Sequence, residues 1–355
     1  AIYSLRKVLS EMPPAEVVER LQTVSMKKVT VAKEVIRLMG ELGGAPGYAA
    51  LVAFDRSELH RDVRIALLRA LWDHLHHEQS WVVFEEALDD PDWVVASRIT
   101  EIPLGRLNDA QERRVTGLVV RLLERPEPEA RLALLQQAAS LPLRDTERVL
   151  YQACLARVAT GKEDEAGIAL SAVLRRMLPT EAPAVVAMLT SLFADRRRLH
   201  ALLQILPNHL GPYAPKHVSS VGKKLTAAMA ADPLLAPQRV ELAGSFLGYG
   251  ELSALFLELS TLRLLHFDTM TAAMRAIGRC VHPNQREAAL GDHVDARVRR
   301  LGLEALATAS RPKRGWAKER IARLTHYATD PDPLVAGAAA FVFPPARCKL
   351  RATKR

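Results

Sequence analysis

A nine-residue segment that opens at Val63 and reads VRIALLRAL constrains the fold of this chain more than any other feature. On a helix, its apolar residues at places one, three to six, eight and nine form one broad stripe, whereas places two and seven face elsewhere. A second copy, VRRLGLEAL, opens at Val298 and shares five of the nine residues in register. Further versions open at Val31, Val94, Ala130, Ala166, Arg198, Arg239, Thr269 and Val335. A recurrence of about 34 residues with loose spacing predicts a helical repeat.

Each interval must also supply a partner helix, because one amphipathic helix cannot bury its apolar stripe alone. Glycine and proline between the segments mark where helices end. No stretch alternates apolar and polar residues for long enough to predict a strand. The sequence therefore predicts an all-α chain, with partner helices at 14–21, 46–54, 80–88, 109–124, 146–158, 180–194, 216–230, 251–260, 284–290 and 316–328.

The best copies share a recognisable opening. Asp62, Val63 and Arg64 precede small and apolar residues, Val298 is again followed by arginine, and the turns DPDWV and DPDPLV open at Asp90 and Asp330. This pattern resembles the HEAT (armadillo-like) repeat family over nearly the whole chain, although most copies lack the arginine at place two. The resemblance implies a right-handed α-solenoid of about ten HEAT-like helix pairs, continuous over residues 1–355.

The start of the chain and its cysteines indicate its context. The sequence begins at Ala1 with a helical pattern and no initiator methionine, from which we expect a segment of a larger protein or assembly. No signal peptide is recognisable, and Cys154, Cys280 and Cys348 are odd in number and widely separated, which favours a reduced, cytoplasmic protein. No apolar run reaches about 18 residues, so we expect no membrane span.

The net charge of +9 is concentrated at one end of the chain. Residues 296–355 hold 14 Lys and Arg against 4 Asp and Glu, whereas residues 1–295 are almost balanced. A basic end, including a basic tail at 344–355, predicts contact with an acidic protein partner or with nucleic acid. A solvated basic face that binds nothing is the alternative. The candidate anion-binding residues are Arg297, Arg300, Arg311, Lys313, Arg314 and Lys318.

Place seven of the repeat is mostly polar. By the resemblance, second helices line the concave surface of a HEAT array, so this row would face the groove where partners bind. An ordinary solvated helix face has the same polar character, and the sequence alone leaves both interpretations open. The candidate partner-binding residues are Arg37, Arg69, Thr100, Gln136, Gln204 and Arg275.

Motifs for metals and cofactors are scarce. His74, His76 and His77 cluster after Trp72, and two of them lie three residues apart, within reach of one metal ion on a helix. No second group of ligands is presented to them, so exposed histidines at a helix end are the favoured interpretation, and neither a metal nor a cofactor is expected. No phosphate-binding loop, nucleophile elbow or dinucleotide fingerprint occurs.

One enzymatic hypothesis remains open. HEAT-like alkylpurine DNA glycosylases use tryptophans and an acid around a damaged nucleotide, and Trp72, Trp81 and Trp93 lie near Asp90 and Asp92 here. This acidic block would repel phosphate, so we favour tryptophans that serve packing. The sequence thus predicts a non-catalytic protein-interaction scaffold, ahead of a nucleic-acid-binding array and of a glycosylase.

Overall fold

The computed structural model describes residues 2–56, 58–210, 216–279, 287–310 and 315–342, and helices are the only regular secondary structure in these ranges. The all-α prediction is confirmed. No helix within these ranges has both the length and the apolar character that a bilayer crossing requires. Below, helices that carry the repeated segment are called repeat helices, and those between them are called partner helices.

Each predicted repeat segment opens inside a helix, one to three residues after that helix begins. The apolar stripe alone locates these helices, because the stripe must be buried wherever it occurs. The repeat helices are α3 (Val29–Leu42), α5 (Arg61–Ala70), α7 (Trp93–Ala96), α9 (Pro128–Ser140), α11 (Glu163–Arg176), α13 (Arg196–Leu210), α15 (Ala236–Phe246), α17 (Phe267–Arg279), α19 (Ala296–Ala309) and α21 (Pro333–Ala339).

Partner helices lie in every predicted interval, and the helix α1 (Ile2–Ser10) precedes them without a counterpart among the predicted intervals. Observed and predicted bounds differ by a few residues, the usual uncertainty at fraying helix ends. The partner helices are α2 (Pro14–Gln22), α4 (Gly44–Val52), α6 (Glu78–Ala87), α8 (Asp109–Leu122), α10 (Val149–Thr160), α12 (Ala182–Ser191), α14 (Lys216–Met229), α16 (Tyr249–Thr261), α18 (Glu287–Gly291) and α20 (Lys318–Ala328).

The helix α7 is much shorter than its repeat segment predicts. It has four residues and continues as a 3₁₀ helix over Ser97–Glu101. Pro103 disfavours helical geometry at Ile102, whose backbone is extended with ψ 130. The β-branched residues of this segment also lower its helix propensity.

In several turns an acidic residue caps the repeat helix that follows, as at α7, α19 and α21. The carboxylates of Asp92, Asp295 and Asp332 each accept a hydrogen bond from the backbone N–H two residues later, over 3.0, 2.9 and 2.9 Å respectively. This bond satisfies an N–H group that has no partner within the helix. At α5 the cap is instead His60, whose Nδ1 accepts from the backbone N–H of Asp62.

Helices of one kind pack against the next helix of the same kind. Repeat helices contact each other in the pairs α3 with α5, α15 with α17, α17 with α19, and α19 with α21. Partner helices do the same in the pairs α2 with α4, α8 with α10, and α12 with α14. Stacked helix pairs bury an apolar face that neither pair could bury alone.

Side-chain hydrogen bonds repeat this spacing independently of the apolar pattern. Many of them join residues 30 to 37 positions apart, which is one repeat length. Each such bond therefore connects one repeat to its neighbour: Arg56 with Glu86, Arg69 with Glu101, Arg113 with Glu147, Arg144 with Glu112, Gln204 with Glu241, Ser260 with Asp295 and Arg299 with Asp330.

The contacts group into two compact units. Unit 1 comprises Ala1–Gly161 and Ile168–Val173, and unit 2 comprises Lys162–Gly167 and Leu174–Arg355. In both units the buried side chains are mostly leucine, valine and alanine. Small residues bring repeat helices close together: a Cβ on Gly40 would lie 3.0 Å from Cβ of Ala70, and one on Gly244 would lie 2.5 Å from Cβ of Ala276.

Candidate interaction surfaces

A cleft in unit 1 contains the first two residues of the place-seven row. It is lined mainly by α3 and α5, has a volume of about 400 Å³, and is called the α3–α5 cleft below. Places two and seven face away from the buried stripe, so the helix geometry directs Arg37 and Arg69 into it. The other charged residues of the lining are Lys33, Glu34, Glu41, Asp62, Asp73 and Arg98.

The arginines of the α3–α5 cleft are held by carboxylates. Arg37 donates to Glu34 over 2.7 Å and to Glu41 over 2.6 Å, and the hydrogen bond with Glu34 is the main cause that raises the pKa of Arg37. Arg69 donates over 2.8 Å to Glu101, which also accepts from Arg98. Two carboxylates thus fix the orientation of Arg37, and one carboxylate is shared by Arg69 and Arg98.

Glu101 remains ionised in this setting. Burial opposes the charged form, but the hydrogen bonds from Arg69 and Arg98 outweigh burial, and the pKa of Glu101 is lowered. Lys33 contrasts with the arginines, because it has no ion-pair partner among the residues that the structure describes. The cleft therefore presents fixed charges of both signs and one unpaired ammonium group. Fixed charges of both signs on a protein surface can discriminate between partners by their charge pattern.

The remaining residues of the place-seven row differ in exposure. Gln136 is exposed on α9. Thr100 is buried, and its hydroxyl bonds to the carbonyl of Ser97 over 2.7 Å and to Oε1 of Gln137 over 2.8 Å. Thr100 therefore does not present its side chain to a partner, because the short helix turns it inward.

In unit 2 two residues of the same row, Gln204 and Arg275, contact Glu241, which the repeat pattern did not single out. Glu241 of α15 is fully buried, and its Oε1 accepts from Gln204 and, over 2.6 Å, from Arg275. Its Oε2 lies 3.3 Å from Nδ1 of His200. In the sequence, Glu241 stands out only as a charged residue between the apolar residues Val240 and Leu242. A repeat that is aligned on its apolar positions does not detect such a residue.

The basic C-terminal residues divide into three groups. Arg297 is exposed, and Lys318 opens α20. Arg300 instead pairs with Glu304 over 3.3 Å. The remaining candidates Arg311, Lys313 and Arg314, and the tail 344–355, lie outside the described residues.

His76 and His77 are exposed, as expected, and their rings contact each other and Tyr48, whereas Trp81 packs against Phe84. The ring of His77 stacks on Tyr48 at 4.3 Å, and the rings of His76 and His77 are 4.0 Å apart. Trp81 is buried and donates from Nε1 to the carbonyl of Leu75 over 2.8 Å. In the part of the chain that the structure describes, no three His, Cys, Asp or Glu residues are placed to hold a metal ion.

The two acids near the tryptophans, Asp90 and Asp92, take part in contacts within the chain. Asp90 accepts from Nη2 of Arg64 over 3.1 Å and from the backbone N–H of Asp92 over 2.8 Å. Asp92 in turn caps α7. Compared with protein-family models and with curated proteins, the sequence gives no match.

Proposed function

We propose that this chain is a non-catalytic interaction module of the HEAT-like kind, in which each unit is a stretch of right-handed α-solenoid. The recurrence of helix pairs, the packing of helices on others of the same kind, and the capping of repeat helices by turn acids support it. We place it in the cytoplasm on the usage of its cysteines.

The observation that carries the proposal is the α3–α5 cleft. Its arginines are oriented before any partner arrives, because Arg37 and Arg69 are bonded to carboxylates of the same surface. Pre-oriented side chains lose little conformational entropy on binding. The occupant proposed is a protein segment that carries charges of both signs.

Ion pairs within the chain at its basic end argue against the nucleic-acid alternative. Arg299 and Arg300 are already paired with Asp330 and Glu304, so neither is free for a phosphate without breaking an ion pair. Nucleic-acid binding gains its affinity from many Lys and Arg side chains, which displace the counterions condensed on the phosphates. Among the candidates that the structure describes, Arg297 and Lys318 form no ion pair.

Capture of partners by immobilised protein tests the proposal. Proteins retained by the parent chain are compared with those retained by the double variant Arg37→Ala, Arg69→Ala and by the control Arg113→Ala. The control removes an exposed arginine of unit 1 that pairs with Glu147 on a different surface. We expect the same proteins to bind the parent and the control and to be lost from the double variant.

Identical sets for all three chains would contradict a role of the α3–α5 cleft. A second measurement follows a labelled duplex and a labelled single strand over a salt series. Sub-micromolar binding with a steep loss at higher salt would place nucleic acid first instead.

A further inference from the structure

A second groove in unit 1 adjoins the α3–α5 cleft and differs from it in character. It is formed by α1, the end of α2 and α3, has a volume of about 400 Å³, and is called the α1–α3 groove below. A groove of this size falls in the range of roughly 300–1,000 Å³ that holds small ligands, so one or more large side chains fit it. Its lining residues are Leu5, Leu21, Val24, Thr30, Val31, Lys33, Glu34, Val35 and Leu38.

The apolar stripe of α3 is covered at one end and open at the other. Val31, Val35 and Leu38 follow the helical spacing and share one face of α3. Val35 and Leu38 are buried, whereas Val31 keeps part of its surface in water. On the opposite wall, Leu5 and Val24 are exposed although both are aliphatic. Adjoining apolar side chains that remain exposed beside charged residues are typical of an interaction site.

The α1–α3 groove and the α3–α5 cleft share two residues of opposite charge. Lys33 and Glu34 contribute to the lining of both cavities. The charge of Glu34 is compensated by Arg37, which donates to it over 2.7 Å. Lys33 is half-buried and forms no ion pair with any residue that the structure describes. The border between the apolar groove and the charged cleft therefore offers one positive charge to an incoming group.

We propose that the α1–α3 groove binds a large apolar side chain of the partner segment, and that Lys33 pairs with an acidic residue close to it in that segment. This inference rests on the proposed function, because it names the residues by which the segment is recognised. An apolar anchor in a pocket supplies much of the affinity of an interface, and charges at its rim select the partner. The rest of the segment would continue into the α3–α5 cleft, where charges of both signs are fixed.

A fatty acid also combines an apolar chain with a carboxylate. It carries no further charge, however, and so has nothing to match the arginines and carboxylates of the adjoining cleft. The shared lining of the two cavities thus favours a peptide over a lipid.

Selection from a display library of random dodecapeptides on the immobilised full chain tests the proposal. We expect enriched peptides to carry Asp or Glu within about four positions of Leu, Ile, Met or Phe, the spacing that places two side chains on one helix face. Selection on Lys33→Glu should keep the apolar residue but replace the acid by Lys or Arg. The control Lys27→Glu makes the same change at an exposed lysine that lines neither cavity, and it should enrich the same peptides as the parent.

Anisotropy of the most enriched peptide, labelled with fluorescein, measures the apolar contribution. We expect Val24→Asn to weaken binding by about fivefold or more, because a polar side chain then lines the groove. The control Val294→Asn changes an exposed valine of unit 2 and should leave the affinity unchanged. Circular dichroism verifies that the variants fold, and Leu5→Ser tests the groove from α1 if Val24→Asn does not.

Several results would overturn the proposal. These are enriched peptides that lack the apolar and acidic pair, an unchanged preference on Lys33→Glu, unchanged affinity in Val24→Asn and Leu5→Ser, or calorimetric binding of dodecanoate with no peptide enriched. If peptide binding depends on Arg37 and Arg69 but not on Val24 or Lys33, the groove fails and the proposed function stands. If it depends on Val24 and Lys33 alone, the groove stands and the role of the α3–α5 cleft fails.

Discussion

The guanidinium of Arg299 donates from Nε to Oδ2 of Asp330 over 2.7 Å and from Nη2 to Oδ1 over 2.8 Å. Both side chains are largely buried, and Arg299 also donates to the carbonyls of His293 and Val294. Arg64 makes a related contact with Asp90 in unit 1. Place two of the repeat thus joins the turn before its own helix to the turn before the next repeat helix.

Loss of this pair should be costly. We expect Arg299→Ala to lower the free energy of unfolding by about 3–5 kcal/mol, because Asp330 is left as a buried, unpaired carboxylate. The exposed pair of Arg196 with Asp232 offers a control, and Arg196→Ala should cost about 0–1 kcal/mol. Chemical denaturation of both variants measures the difference. Equal costs would contradict a special role for place two.

Close packing of α15 on α17 predicts a strict requirement at Gly244. Its added Cβ would lie 2.5 Å from that of Ala276, so Gly244→Ala should destabilise unit 2 by about 1–3 kcal/mol. Gly337 lies in α21 with no atom within 4 Å of an added Cβ. The control Gly337→Ala should therefore stabilise by roughly 0.5–1 kcal/mol. In denaturant unfolding, a lower free energy of unfolding for Gly244→Ala and a higher one for Gly337→Ala would confirm the packing. Stabilisation by both substitutions would refute it.

Protonation of His74 should weaken unit 1 in mild acid. Burial is the main cause that lowers the pKa of His74, and the neighbouring His76 and His77 lower it further. The unfolded chain then binds a proton at a higher pH than the folded chain does, so stability is complete above about 6.5 and falls as the pH drops below it.

In the variant His74→Gln, the free energy of unfolding should fall less over the pH range between the unfolded-state and folded-state pKa values of His74. Urea unfolding over a pH series measures it, with His266→Gln as the control because His266 is exposed in unit 2. A decline that is equally steep in the parent and in His74→Gln would assign the acid sensitivity to other groups.

The sequence predicted the helices well because their apolar stripes are local. Val63 and Val298 open helices as expected, and the acids Asp92 and Asp332 cap the helices that their turns precede. It was less accurate at α7, where the α-helix ends at Ala96 and the rest of the segment is a 3₁₀ helix up to Glu101.

The candidate surfaces were only partly predictable. Place seven led to Arg37 and Arg69, which do line one cleft, and also to Thr100, which is buried. Glu241 was missed, because Gln204 and Arg275 contact it from helices about one repeat away. No alignment of apolar positions reports such contacts.

By itself the sequence determined the all-α class, the recurrence of helix pairs and the caps, since these depend on periodicity and on residues within a few positions of each other. The tertiary structure alone decided which charges meet. Arg275 reaches Glu241 over 34 positions, and Arg299 reaches Asp330 over 31, only because neighbouring repeats are packed side by side. Ion pairs and buried carboxylates depend on distance in space, which the order of residues does not specify until the repeats are stacked.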